Sequence, residues 1–105
     1  MDRLPSSFRQ QNQTTREYRE QYKRLPRDVR ELTRQVALRF HTDPQLSSLR
    51  HHELKDRKTG SHRPGTWSVS ITMQYRALYV KNGDIHIWYW IGTHADYNRF
   101  TGGKG

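Results

Sequence analysis

Asn82-Gly83 lies between two runs dense in aromatic and branched side chains, Tyr75 to Lys81 and Ile85 to Ile91, and this arrangement leaves the chain few ways to fold. The dipeptide supplies two positive-φ residues for a tight type I′ hairpin, so the two runs are expected to be antiparallel neighbours. Ile85 to Ile91 is apolar or aromatic at every position except His86, the pattern of a central strand covered on both faces. Upstream, Trp67, Val69, Ile71 and Met73 alternate with Ser68, Ser70 and Thr72, the period-two signature of a third strand with one apolar and one wet face. The sheet therefore occupies the second half of the chain.

The first half reads differently. Phe8, the one apolar anchor between Ser6 and Gln10, suggests a short edge strand. Thr14 and Glu17 form a T-x-x-E capping box, and Tyr18, Tyr22 and Leu25 recur at helical spacing, which predicts a helix over about 15–25. Pro26 ends that helix and suits the first turn of the next, in which Val29, Leu32, Val36 and Phe40 hold helical spacing and Arg27, Arg30, Arg34 and Arg39 take the other faces, solvated or against phosphate. Asp43-Pro44 closes the helical hairpin, because the residue before a proline is pushed out of the helical region.

Leu46 to Lys55 reads as a strand entering the sheet, with Leu49 and Leu54 at opposite parity and hence a bulge or slip between them. Lys55 to Gly65 contains no apolar side chain and is expected to be an exposed basic loop. Its Lys55, Arg57, Lys58, His62 and Arg63 are candidate RNA contacts. Residues 101–105, TGGKG, have nothing to bury and are expected to fray.

One domain of 105 residues is the natural partition, with a single sheet and a helical layer. The net charge is +9, and fourteen of the nineteen cations are arginine, a bias suited to gripping phosphates or carboxylates and to stacking on rings. Nucleic acid or an acidic protein is the expected partner class, rather than a membrane. No stretch approaches eighteen apolar residues, and MDRLPSSF lacks the order of a secretion signal, so the expected compartment is the cytosol. There is no cysteine for a disulfide or a thiolate zinc site.

Several chemistries fail on spacing. His52-Glu53 begins H-E-x-x-H, but Asp56 stands where the second histidine belongs, and neither a phosphate-binding G-x-x-x-x-G-K-[ST] loop nor a G-x-S-x-G turn is present. No metal or cofactor is expected. What remains is a set of groups that handle protons and phosphate: His51, His52, His62, Arg63, Arg76, His94 and Tyr97. His51 and His52 are adjacent on a strand, so at most one faces a given cleft. His94 follows Gly92 at the end of the last strand and titrates near neutral pH when unperturbed. The structural alternatives are an Arg76 paired with an acidic neighbour and a His94 bonded to backbone. His86 reads as structural, Trp67 and Trp88 as core, and Trp90 is undecided between core and site.

Trp67-Ser68-Val69 leading to Tyr75-Arg76-Ala77-Leu78, and above all Trp90-Ile91-Gly92-Thr93-His94-Ala95-Asp96-Tyr97, resemble the RelE/ParE superfamily of bacterial toxins. The resemblance covers most of the chain and includes Leu25-Pro26 at the helical bend and Asp43-Pro44. It implies an α+β, RelE-like fold: a two-helix hairpin packed on one face of a curved, mainly antiparallel four- to five-stranded sheet. In the RelE-like branch it implies a toxin that cuts messenger RNA on the ribosome without metal, held in check by an acidic antitoxin, with operator DNA reached only through the antitoxin complex. Carried over by residue, Arg76 matches the phosphate-stabilising arginine, and His94 and Tyr97 match the acid–base and base-stacking positions. Lys55, His62 and Arg63 match basic or imidazole positions more loosely. Ser70 stands where relatives often carry arginine. ParE-like members share the fold, lack the catalytic set and bind DNA gyrase, and a member kept only for antitoxin and operator binding is a third possibility.

Overall fold

The computed structural model describes residues 6–56 and 58–103. Arg57 and residues 104–105 fall outside that range, so Arg57 has no place in the account of the site. The chain forms helix α1 (Ser6–Gln11), strand β1 (Asn12–Thr14), helices α2 (Arg16–Lys23) and α3 (Arg27–Thr42), a 3-10 turn (Ser47–Leu49), strands β2 (His52–Glu53), β3 (Trp67–Thr72), β4 (Tyr75–Asn82) and β5 (Ile85–Thr93), and helix α4 (His94–Thr101). The five strands make one sheet in the order β1-β5-β4-β3-β2. β1 runs parallel to β5 and every other pairing is antiparallel, in agreement with the expected α+β architecture.

α2 and α3 bury one face of the sheet. Tyr18, Leu25, Val29, Val36 and Phe40 meet Val69, Ala77, Tyr79, Trp88 and Ile91 in the main core. Leu32, placed on the buried stripe by spacing, is instead exposed, and Thr33 takes the inner position with its Oγ1 donating to the Val29 carbonyl at 2.8 Å. The α2 N-cap is Thr15, whose hydroxyl accepts from the Tyr18 amide, and not Thr14, which is engaged in β1 opposite Trp88.

Three further expectations change. Residues 6–10 form a helix rather than an edge strand, ended by Asn12, whose Nδ2 donates to the Phe8 carbonyl while its Oδ1 accepts from the Trp88 indole at 2.9 Å. One apolar anchor in five residues carries no period, so helix and strand were indistinguishable there. Leu46 to Lys55 is mostly not strand: the 3-10 turn buries Leu49, Arg50 takes the left-handed conformation at φ 45°, and only His52 and Glu53 pair with β3. The hairpin turn is Gly83-Asp84, since Asn82 pairs with Ile85. Gly83 alone has positive φ, the type II′ arrangement with glycine at the first central position.

The second face of the sheet is not wet. Ser68 and Ser70 are buried, opposite Leu78 and Arg76 on the face that α4 covers, while Met73 leaves the strand in a two-residue turn and is 75% exposed. The sequence pattern does not announce α4. It begins at N-cap Thr93, whose hydroxyl accepts from the Asp96 amide, and ends at Gly102 with φ 67°. It closes a second core of Leu78, Tyr89, Trp90 and Tyr97, flanked by Leu54, Val80 and Phe100. A register shift in β5 makes this layer possible: Leu78 pairs with Trp90 but Tyr79 pairs with Trp88, so Tyr89 is the extra residue of a bulge and two consecutive aromatics serve the same face. Residues 101–103 do not fray. Thr101 is buried with its Oγ1 donating to the Tyr97 carbonyl, and the Gly102 carbonyl accepts from Thr59 Oγ1.

Candidate active site

Tyr97 is the side chain around which the site is assembled. It lies one turn into α4 and is 1% exposed. The His94 imidazole is stacked on its ring with centroids 5.8 Å apart and planes 21° apart, and the Arg76 guanidinium lies 6.0 Å from the ring centroid. β4 and the start of α4 thus bring Arg76, His94 and Tyr97 together, as the sequence motif implied. Gly92 makes this closeness possible: it pairs with Arg76, and a Cβ there would sit 2.9 Å from the Trp90 ring, which occupies the space instead.

Arg76 is 8% exposed, and among the described residues no acidic side chain pairs with it. Its Nη1 donates to the carbonyls of Thr72, Met73 and Tyr75 at 2.6, 3.2 and 3.1 Å, stitching the β3–β4 turn. Burial pulls its pKa below the ordinary arginine range; Tyr97 acts in the opposite sense and Arg50 adds repulsion. His94 is half-buried, its amide donates to the Gln74 carbonyl at 2.7 Å, and its Nδ1 is enclosed with no partner among the described residues.

Tyr97 also lines a cleft of about 180 Å³ with His52, Glu53, Leu54, Lys55, His62, Thr101 and Gly103. Two imidazoles there have fixed tautomers. His52 Nδ1 faces the Arg50 carbonyl at 2.7 Å and must donate to it, which leaves Nε2 as an acceptor when the ring is neutral. His62 Nε2 donates to the Lys55 carbonyl at 3.0 Å, and its Nδ1 is buried without a partner. His62 is 9% exposed, so it is not the exposed loop contact expected of it. His52 belongs to the set of proton-handling groups named from the sequence, but the pattern left it level with His51. Parity said only one of His51 and His52 could face this cleft, and it is His52. His51 turns to the opposite side, where its Nε2 accepts from the Tyr79 hydroxyl at 2.5 Å and its Nδ1 donates to the Pro44 carbonyl.

The remaining loop cations disperse. Lys55 and Lys58 are exposed, Lys55 on the cleft and Lys58 away from its lining. The Arg63 guanidinium lies 4.5 Å from the centre of the Tyr89 ring, and its amide donates to the Tyr89 hydroxyl at 3.0 Å, so it is fixed against the second core. Trp90 is core: it is buried and stacked on Phe100 with centroids 5.3 Å apart. Among the described residues no three metal-ligating side chains converge.

The ParE-like toxin domain family matches residues 27–99, which span α3 through most of α4 and so hold the site. The chain belongs to that family. Its fold is similar to that of YafQ from E. coli strain BL21(DE3), at 11% identity and TM-score 0.64 over 82% of this chain and 94% of that one. It is also similar to the YoeB/ParE toxin from Agrobacterium tumefaciens, at 19% identity and TM-score 0.61 over 80% and 98%. The RelB-RelE antitoxin-toxin complex from Methanococcus jannaschii contains a further match, at 15% identity and TM-score 0.58 over 84% and 98%. These are likenesses of fold. Comparison with curated proteins by sequence finds no match.

Proposed function

We propose that this chain is the toxin of a toxin–antitoxin pair and an endoribonuclease that cuts messenger RNA on the ribosome. The observation that carries the reading is the convergence of Arg76 and His94 on the buried ring of Tyr97, next to a cleft lined by His52, Lys55 and His62. In this reaction the RNA 2′-hydroxyl attacks the adjacent phosphorus as its proton passes to a base. The O2′–P bond forms, the P–O5′ bond breaks, and an acid protonates the departing O5′. Two imidazoles suit the two proton transfers: His94, half-buried beside Arg76 and Tyr97, and His52, whose Nε2 is left as acceptor by its bond to Arg50. Arg76 supplies positive charge to the phosphorane, preorganised by three carbonyls that leave it no freedom to swing away. Tyr97 is a positioning residue, because its ring is occupied by His94 and Arg76 and is too buried to stack on a nucleobase.

Lys55 and Lys58 supply phosphate contacts without base choice. The partner is an acidic antitoxin, a reading supported by the net charge of +9 and by the relative solved as a RelB-RelE complex. Reconstituted translation with purified protein tests the activity: cut messenger is expected from the parent and not from His94→Ala. A second reading has a specific observation in its favour. Arg76 spends three hydrogen bonds on its own turn, as a structural arginine would, and a ParE-like protein that binds DNA gyrase needs no reacting groups. Intact messenger together with gyrase trapped on DNA would install that reading in place of the nuclease.

A further inference from the structure

The helix-covered face of the sheet ends in a group of cationic and titratable side chains that the cleavage site does not use. On β4, Lys81 follows Ala77 and Tyr79 on that face, five residues and about 17 Å along the strand from Arg76 and on the other side of the sheet. It is joined by His86, its cross-strand partner on β5, by His41 from the last turn of α3, and by His51 from the segment between the 3-10 turn and β2. The four line a cleft of about 270 Å³ together with Tyr79 and Trp67. No carboxylate lines it; its remaining polar side chains are the amides of Gln11, Asn12 and Gln45. Asp43, two residues from His41, directs Oδ1 to the Gln45 amide at 3.1 Å, and Lys81 has no ion pair among the described residues.

The cluster is held rigidly. Phe40 meets the His51 and His86 rings edge to face, at centroid distances of 5.1 and 5.3 Å, and the Lys81 ammonium lies 4.6 Å from the centre of the Trp67 ring. His86 Nδ1 is enclosed with no partner among the described residues. Burial first, and then the like charges of their neighbours, hold His51 and His86 below the usual histidine range: Lys81, His86 and His52 act on His51, and Lys81 and His41 act on His86. An anion among these groups would supply the counter-charge that the chain itself does not.

The geometry selects the kind of anion. A carboxylate offers two oxygens in one plane, whereas the donors here come from α3, β4, β5 and the segment before β2, which suits a tetrahedral dianion. Protonating His51 would also reverse its bond to Tyr79, so that Nε2 donates and the hydroxyl hydrogen is released for an oxygen in the cleft. The volume lies just below the range of about 300–1,000 Å³ usual for small-molecule pockets, so the occupant is small.

We propose that this cleft binds a phosphate dianion, free or at the end of a small phosphomonoester, held by Lys81 Nζ and by His86 and His51 in their protonated forms, with His41 adding charge. The site stands apart from the nuclease reading, since α4 and its second core lie on the other face.

The test uses the purified full chain at pH 6.5, with inorganic phosphate as probe, ionic strength fixed with sodium chloride, and histidine ring-proton NMR as the readout. The His51 and His86 ring signals should move saturably, and the pKa of both rings should rise as the anion enters. Lys81→Gln changes an exposed side chain and should fold as the parent does, yet weaken phosphate by about tenfold or more, the worth of a hydrogen bond to a charged group. His94→Ala should bind phosphate as the parent does. Ribose 5-phosphate distinguishes the sources: tighter binding than inorganic phosphate identifies an esterified ligand, and equal binding a free one, and either supports the site. Shifts no larger than chloride produces, shifts unchanged in Lys81→Gln, or equal shifts from acetate would overturn it. Movement confined to His52 and His94 would place the anion in the cleavage cleft and overturn it as well.

Discussion

The His94 imidazole lies nearly parallel on the Tyr97 ring, with centroids 5.8 Å apart, and both belong to the first turn of α4. Helical spacing of three residues sets that contact, so the ring orients the imidazole without any hydrogen bond to its Nδ1. Because His94 is only half-buried, His94→Ala should leave the melting temperature within a few degrees of the parent. In translation assays it should lose cleavage by about 100- to 10,000-fold, the usual worth of a positioned acid or base. Cleavage at the parent rate would remove His94 from the reaction.

Arg76→Ala should behave differently, losing activity and stability together. Three turn carbonyls lose a charged donor, and a bond to a charged group is worth about 1.5–3 kcal/mol. Arg76→Lys should recover part of the stability, with one ammonium reaching some of those carbonyls, and little of the activity. Melting curves on both variants beside cleavage rates separate the two roles.

Stability should rise with pH between about 5 and 7. His51 and His86 both have pKa values below the ordinary histidine range, chiefly from burial, with Lys81 adding repulsion at each. His52 and His86 also repel a charge on His51, and His41 one on His86, while the Pro44 and Gln11 backbones partly oppose these shifts. As pH falls through about 6.5 the unfolded chain binds protons that the folded chain refuses, so stability is lost from there down to the lowered folded values. Melting temperatures at pH 5.0 and 7.5 check this, and His86→Phe should flatten the difference.

Gly102→Ala should loosen the loop that carries Lys58 and Arg63. A Cβ there would meet the Gly60 amide and the Thr59 main chain at 2.6 Å, and φ 67° adds a further penalty of about 1–2 kcal/mol. Exchange at the Ser61 amide, now bonded to the Phe100 carbonyl at 2.7 Å, should accelerate. Unchanged exchange would mean that the loop is not held by α4.

Neutralising Lys55 and Lys58 together should reduce the slope of log affinity for single-stranded RNA against log salt by about 1.4, if each makes one phosphate contact. Replacing Arg63 should cost stability as well, since its guanidinium packs on Tyr89. A slope that does not move would put the RNA surface elsewhere.

What was legible in the sequence were the features with a period or a punctuation mark. Alternation in Trp67–Thr72, the hairpin between Lys81 and Ile85, and Pro26 and Pro44 at the helix boundaries all carried through to the fold. α4 was not legible because HADYNRFT mixes polar and apolar residues over barely two turns, and its stability comes from the Thr93 and Gly102 caps and from packing on Trp90. The buried serines of β3 were misread for the same reason: their faces are decided by a helix that the pattern did not announce. A motif singled out Arg76, His94 and Tyr97, which the fold brings together. His52 required coordinates, because adjacent strand residues compete for two sides and composition does not say which wins.

The bulge at Tyr89 acts as a phase change along β5. Before it, Trp88 looks toward α2 and α3. After it, Trp90 and Gly92 look toward α4, and the chain reaches Thr93 with His94 emerging on the Arg76 side. Pairing the same residues without the bulge would send every position from Trp90 onward to the other layer, since a one-residue slip inverts a strand, whereas removing Tyr89 would leave those positions facing as they do. The chemistry at the far end of β5 is therefore indexed by an odd residue in its middle. Tyr89 is pinned in that place by its hydroxyl, which accepts from the Arg63 amide at 3.0 Å and lies 2.6 Å from Thr66 Oγ1, so the basic loop holds the phase of the strand.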